Sequence, residues 1–222
     1  MSDLTTSQVY HVFNRSIAKF KIFKNNSEYE RMKGLLKYYQ IKNPALRFSH
    51  YIQKKRGEKK NLKENVSGGE IIKNGDNLVD IIAYCIMPTH IHLAIKQLVD
   101  NGISIFMRKV LDSYTRYFNT KIKRQGPLWT GRFKRLLVEN DEQLLHLTRY
   151  IHLNPTTAHL VNNPQDWIFS SYNEFLNNVK KGEGLCRYLS LLDIEPDDYK
   201  EFVISRVDYQ RTLAKIKHLL LD

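Results

Sequence analysis

Residues 79–97 constrain the fold of this 222-residue chain more than any other stretch. Val79 to Met87 is a nearly continuous apolar run, rich in the β-branched and aromatic residues that suit strands. Such a run without alternation predicts a central strand buried on both faces. Pro88-Thr89 interrupts it, and His90 to Lys96 continues as its partner strand. A sheet built around this pair needs cover on both sides.

The remaining elements follow from periodicity and caps. Val9 to Phe13 reads as a first strand, and Asn25-Asn26-Ser27-Glu28 opens a helix through about Gln40, with capping residues ahead of Tyr29, Met32, Leu35, Leu36 and Tyr39 at helical spacing. Ile103, Phe106, Met107, Val110, Leu111, Tyr114 and Phe118 mark a second amphipathic helix. Phe133 to Val138 can form another strand. Asn140 and Gln143 resemble a capping pair for a helix carrying Leu144, Leu145, Leu147, Tyr150 and Ile151. Asn154-Pro155 is expected near its end, because a residue before proline avoids the α region. Strand, helix, strand pair, helix, strand, helix predicts an α+β fold, with helices packed on an antiparallel sheet.

Two regions fall outside this core. Leu46 to Ile52 alternates like a strand and is followed by basic residues and Ser67-Gly68-Gly69, so 42–76 reads as a hairpin-like basic insertion with a mobile tip. Residues 1–178 form the expected core domain, and 179–222 a linker followed by a helical C-terminal tail from Pro196 to Leu221. No run approaches the length of a membrane span, and the start lacks the parts of a signal peptide. A cytoplasmic, nucleoid-associated protein with no membrane partner is expected.

The net charge of +12 asks for an anionic partner. Residues 107–135 hold nine Lys/Arg against the single acid Asp112, interleaved with Tyr114, Tyr117, Phe118, Trp129 and Phe133. That mixture fits a groove that tracks phosphates and stacks bases, or a solvated basic face.

The chemistry-bearing residues come in two pairs. His90 and His92 share one side of a strand, and Tyr150 and Asn154 share one side of a helix. Two imidazoles and an amide oxygen can hold a divalent cation, and a tyrosine beside that cation is a candidate nucleophile. Each residue also has a plainer reading: packed strand histidines, a core tyrosine, and an asparagine that ends a helix. His152 turns to another helix face, and His11 and His50 have no evident partner. Tyr114 and Tyr117, on the preceding helix, compete as nucleophiles.

Met87-Pro-Thr-His-Ile-His-Leu resembles the His-hydrophobic-His motif of the HUH single-strand nucleases. Tyr10-His-Val-Phe-Asn-Arg, Gly126-Pro-Leu-Trp-Thr-Gly-Arg-Phe-Lys, Tyr150-Ile-His-Leu-Asn-Pro and Trp167-Ile-Phe-Ser-Ser-Tyr resemble, in order, blocks of the Y1 transposase family. The wording is nearest its IS200-like and REP-associated tyrosine transposases. The resemblance implies a ferredoxin-like core, Mg²⁺ or Mn²⁺ held by His90, His92 and Asn154, and attack by Tyr150. It further implies cleavage and strand transfer of single-stranded, hairpin-bearing DNA through a 5′-phosphotyrosine, by a monomer or homodimer. Arg15, Arg132, Lys134 and Arg149 are candidate phosphate contacts. A domesticated nucleic-acid-binding protein that keeps the fold without the chemistry is the alternative.

Overall fold

The computed structural model describes residues 4–61, 77–180 and 184–219. Its strands are β1 (Val9–Arg15), β2 (Val79–Met87), β3 (His90–Gln97) and β4 (Lys134–Val138). The helices are α1 (Asn26–Tyr38), α2 (Phe48–Asn61), α3 (Gly102–Lys121), α4 (Asp141–Thr157), α5 (Tyr172–Phe175), α6 (Pro196–Ile204) and α7 (Val207–Leu219). The strands form one antiparallel sheet in the order β2-β3-β1-β4. With α1 joining β1 to β2 and α3 joining β3 to β4, this is the expected α+β, ferredoxin-like arrangement.

Register decides which side chains share a face. Tyr10, Val12, Ile91, Leu93 and Ile95 face α1 and α3, whose Met32, Leu35, Leu36, Phe106, Val110, Tyr114 and Phe118 complete the larger core. Burying each such side chain contributes roughly 1.5–3 kcal/mol before chain entropy is set against it. The Asn25 side chain caps α1 by accepting from the Glu28 amide. Ala83, Cys85, Met87 and Ala94 face the other way, toward Leu144 and Ile151 of α4 and toward Tyr172, Tyr199 and Val203.

β2 is an edge strand rather than a central one, although seven of its side chains in succession are buried. Its outer rim is covered by the chain beyond α4. The Ile86 amide donates to Phe169 O at 3.0 Å, the Ser171 amide to Tyr84 O at 2.9 Å, and the Arg187 amide to Ile81 O at 2.8 Å. The Tyr84 amide donates to Ser171 Oγ at 2.8 Å. These bonds satisfy groups that an open edge would leave to another chain. An apolar run reports burial, and a covered edge is as buried as a centre.

Residues 48–61 form a helix where alternation suggested a strand. Phe48, Tyr51 and Ile52 also fit helical spacing, and Phe48 is buried against Tyr38 and Tyr39. The expected tip at Ser67-Gly68-Gly69 lies outside the described residues. α4 continues two residues beyond Pro155. Pro155 lies inside its last turn without ending it, at the loss of one helical hydrogen bond, and Asn154 stays helical.

The C-terminal segment is two helices, α6 and α7, separated at Ser205-Arg206. Pro196 opens α6, with Asp197 and Asp198 in its first turn as expected. From Gly184 onward the chain is held in place rather than loosely linked. Glu174 accepts from the Leu185 and Cys186 amides at 2.7 and 2.8 Å and from the Tyr84 hydroxyl at 3.1 Å. Among the described residues no helix is long and apolar enough to cross a membrane.

Candidate active site

His90 and His92 project from β3 on the α4 face of the sheet. In the β1–β3 register Arg15 lies opposite His90, Phe13 opposite His92 and His11 opposite Ala94, so all of them share that face. α4 crosses the same face and presents Tyr150 and Asn154 one turn apart. His11, Phe13, Arg15, His90, His92, Tyr150 and Asn154, with Lys19, Thr89, Lys134 and Leu136, line one cleft of about 680 Å³. The four residues read as nucleophile and ligands therefore meet in one place, although 58 positions separate His92 from Tyr150 in the chain.

The Tyr150 ring stands edge-on to His92, with centroids 5.6 Å apart, and edge-on to His11 at 5.9 Å. It is 41% exposed, so the cleft leaves it open to a substrate. Partial burial raises its phenol above the ordinary tyrosine value, and Asn154 beside it works in the opposite direction. Asn154 Nδ2 donates to the Tyr150 carbonyl at 2.8 Å. That bond directs the amide nitrogen toward the helix, so the amide oxygen is the atom that could ligate an ion.

The histidines are electrostatically unusual. Burial lowers His90 to about 4, with nearby Arg15 adding to the effect. Burial also drives His92 well below the normal imidazole value, aided by His90, His11 and Arg15. His11 falls to about 4 through burial alone. All three rings are neutral at physiological pH, the form in which imidazole ligates a metal. Two neutral imidazoles and an amide oxygen suit a hard divalent ion whose remaining positions go to water or phosphate. Among the described residues no group of three or more His, Cys, Asp or Glu side chains could hold an ion. The cleft is thus unlike a closed structural zinc site.

His11, which has no sequence-level partner, is in contact with His92: His11 Nε2 and His92 Nδ1 are 2.9 Å apart. Alternation along β1 puts His11, Phe13 and Arg15 on one side, but only the strand register reveals what that side faces. Lys19 reaches the cleft through a turn in which Ala18 and Lys19 adopt left-handed backbone, φ 49° and 55°. No local pattern in the sequence announces that turn.

His152, set aside by helical periodicity, anchors α4 instead. It is fully buried, with Nδ1 2.6 Å from the Tyr199 hydroxyl and Nε2 2.7 Å from Ser171 Oγ. One ring therefore ties the tyrosine-bearing helix to α6 and to the segment that covers β2. Thr157 donates to Gln210 Oε1 at 3.3 Å, and Arg211 Nε donates to Thr156 O at 3.1 Å, extending the attachment along α7.

The candidate phosphate contacts separate into two groups. Arg15 and Lys134 line the cleft, and together with Arg132, Asn14, Thr130 and Gly131 they line an adjoining pocket of about 230 Å³. Arg149 lies elsewhere: it stacks on Phe202 of α6 at 4.1 Å and contacts His146 Nδ1 at 2.7 Å.

The basic segment 107–135 does not form one aromatic-lined groove. Tyr114, Phe118 and Trp129 are buried in the α1/α3 core, on the far side of the sheet. Lys121 pairs with Glu28 at 2.7 Å, Lys109 donates to Lys42 O, and Arg124 donates to the Gly126 and Pro127 carbonyls. Those cations secure loops and helix ends.

Known proteins resemble this chain in sequence and in fold. Residues 47–154 match the family model described as IS200-like transposase. A curated protein of Haemophilus influenzae, named for the REP-associated tyrosine transposases, is 30% identical over 105 residues. That alignment covers 42% of this chain and 59% of the relative, so the chain spans rather over half the length of the protein it matches. A solved REP-associated tyrosine transposase bound to a REP hairpin superposes with a TM-score of 0.53 at 16% identity, covering 88% of this chain and 93% of the other. The resemblance read from the ordered motifs is borne out: over residues 47–154 the chain matches the IS200-like transposases, and it has the fold of a REP-associated tyrosine transposase.

Proposed function

We propose that this protein is a metal-dependent single-stranded DNA endonuclease and strand transferase acting on hairpin-bearing DNA. The observation that carries the reading is the convergence of Tyr150 and Asn154 from α4 with His90 and His92 from β3 in one cleft. The hairpin bound by the solved structural relative supports DNA of that kind as the substrate.

His90, His92 and Asn154 would hold Mg²⁺ or Mn²⁺. The ion would supply charge neutralisation at the scissile phosphate. Arg15 and Lys134 flank the cleft and would hold the phosphates on either side. The Tyr150 oxygen attacks phosphorus, and its bond to the 3′ oxygen breaks in line. The phenolic proton leaves to solvent, the departing 3′ oxygen takes one from solvent, and the products are a 5′-phosphotyrosine and a free 3′-hydroxyl. A 3′-hydroxyl attacking that phosphotyrosine restores the tyrosine and a phosphodiester, so strands rejoin without an external energy source. Buried, neutral histidines remain available as ligands at neutral pH.

The test is a denaturing gel of the protein with labelled single-stranded hairpin oligonucleotides and Mg²⁺ or Mn²⁺. Oligonucleotides from the DNA flanking its gene are the first choice. A covalent band that disappears in Tyr150→Phe and with chelator is expected. Tight hairpin binding without any adduct would overturn the enzymatic reading in favour of a domesticated binder.

A further inference from the structure

We infer that His11 is a positioning residue that holds His92 in the one neutral tautomer able to ligate a metal, an inference that rests on the ligand role proposed above for His92. His11 and His92 are buried side by side and meet edge to edge, with ring centroids 5.2 Å apart and planes 22° apart. Phe13 packs on both, 4.8 Å from His11 and 5.7 Å from His92. The edge of Tyr150 closes the group. Neither imidazole is free to turn without disturbing its neighbours.

A neutral imidazole has one N–H and one nitrogen lone pair. At 2.9 Å, His11 Nε2 and His92 Nδ1 share a single hydrogen bond, and one proton lies between them. If His11 Nε2–H donates, His92 Nδ1 accepts, and His92 carries its own proton on Nε2. His92 then has no lone pair to offer an ion. If His92 Nδ1–H donates to the His11 Nε2 lone pair, His92 Nε2 is the bare nitrogen. The second arrangement is the one compatible with ligation, and His11 is the acceptor that secures it.

The partner nitrogen of a metal-bound histidine is commonly held by a carboxylate or a carbonyl. Here a second histidine takes that place. His90 differs: its Nδ1 is 2.9 Å from the neighbouring Thr89 Oγ. A hydroxyl can donate or accept, so Thr89 does not select a tautomer. His11 also contacts Tyr150 only through its ring, which separates its role from that of the nucleophile.

The experiment uses the full chain labelled with ¹⁵N-histidine and freed of metal. Long-range ¹H–¹⁵N correlations of the His92 ring, assigned through a His92 variant, report which nitrogen bears the proton. Wild type is expected to show His92 protonated on Nδ1. His11→Phe keeps an aromatic ring beside Phe13 and Tyr150 but removes the acceptor, and should shift His92 toward the Nε2–H form. Mn²⁺ titration followed by electron paramagnetic resonance should then show about 10–100-fold weaker binding in His11→Phe. His11→Gln places an acceptor oxygen near the lost Nε2 and should restore both the tautomer and most of the affinity. A wild-type His92 protonated on Nε2 would overturn the inference, as would an unchanged tautomer and Mn²⁺ affinity in His11→Phe. Should His11→Phe fail to fold, the wild-type tautomer and the His11→Gln titration still decide. Absence of Mn²⁺ binding by wild type would overturn the metal reading of the cleft, whereas the tautomer judges His11 separately.

Discussion

The two faces of the sheet are made from the same four strands but serve opposite ends. The α1/α3 face is closed hydrocarbon and aromatic packing, with Val12, Leu93, Phe106, Tyr114 and Phe118 excluded from solvent. The α4 face is closed near Ala83 and Ala94 but opens toward the β1–β3 end, where His11, His90, His92 and Tyr150 gather. Every buried histidine among the described residues lies on the α4 side. One face supplies the rigidity that lets the other carry polar groups at fixed separations.

Tyr150→Phe should break the function of the α4 face while leaving both faces folded. The covalent DNA band is expected to vanish, with stability changed by about 0.5 kcal/mol or less, since the ring stays in place. Phe118→Ala should do the reverse. It removes a fully buried ring from the α1/α3 face, and urea unfolding should show a loss of about 3–5 kcal/mol. The fraction that remains folded should still form adduct.

His152→Ala tests whether α4 is held from behind. Lost packing, and two hydroxyls left without their partner, should cost about 2–4 kcal/mol in urea unfolding. Adduct formation should fall more steeply than folding does, because the tyrosine helix loses the buried His152 bond to Tyr199 of α6, although the Arg149–Phe202 contact remains. Equal losses would mean that the clamp serves stability alone.

Acid should discriminate between the faces. His11 and His90 titrate at about 4 when folded, and His152 at about 3, in each case chiefly because of burial. Unfolded histidine binds its proton near 6.5, so between about pH 6.5 and 4 the unfolded state carries more protons. Stability of the metal-free protein should therefore be full above that window and fall as pH drops through it. Urea midpoints at pH 7, 5.5 and 4.5 would measure the decline, and a flat profile would contradict the buried, neutral assignment. The smallest expected effect is that of Arg132→Ala. Its pocket adjoins the cleft, and the salt slope of hairpin binding should fall by about one unit without loss of adduct at low salt.

Local signals were readable where one element explains them. The capping pair works as expected, with Asn140 Oδ1 accepting from the Gln143 amide at 2.8 Å. Strand alternation placed His90 and His92 together, and helical spacing placed Tyr150 with Asn154. Local signals are ambiguous where a residue pattern has two physical solutions. The 46–52 stretch satisfied both periods, and the apolar run of β2 could not distinguish a central strand from a covered edge. The aromatic and basic mixture of 107–135 fits a binding groove or a solvated face equally well, and the packing puts its rings in the core and several of its cations on carbonyls or Glu28.

The sequence by itself determined the composition of the cleft: two strand histidines, a helical tyrosine with asparagine one turn later, and an excess of cations. It did so because strand and helix periodicities are properties of neighbouring residues. Tertiary structure alone decided that His11 meets His92, that His152 fastens α4 to α6, and that Arg15 and Lys134 face the cleft while Arg149 does not. Those outcomes depend on strand register and helix docking, which are set by the packing of residues far apart in the chain.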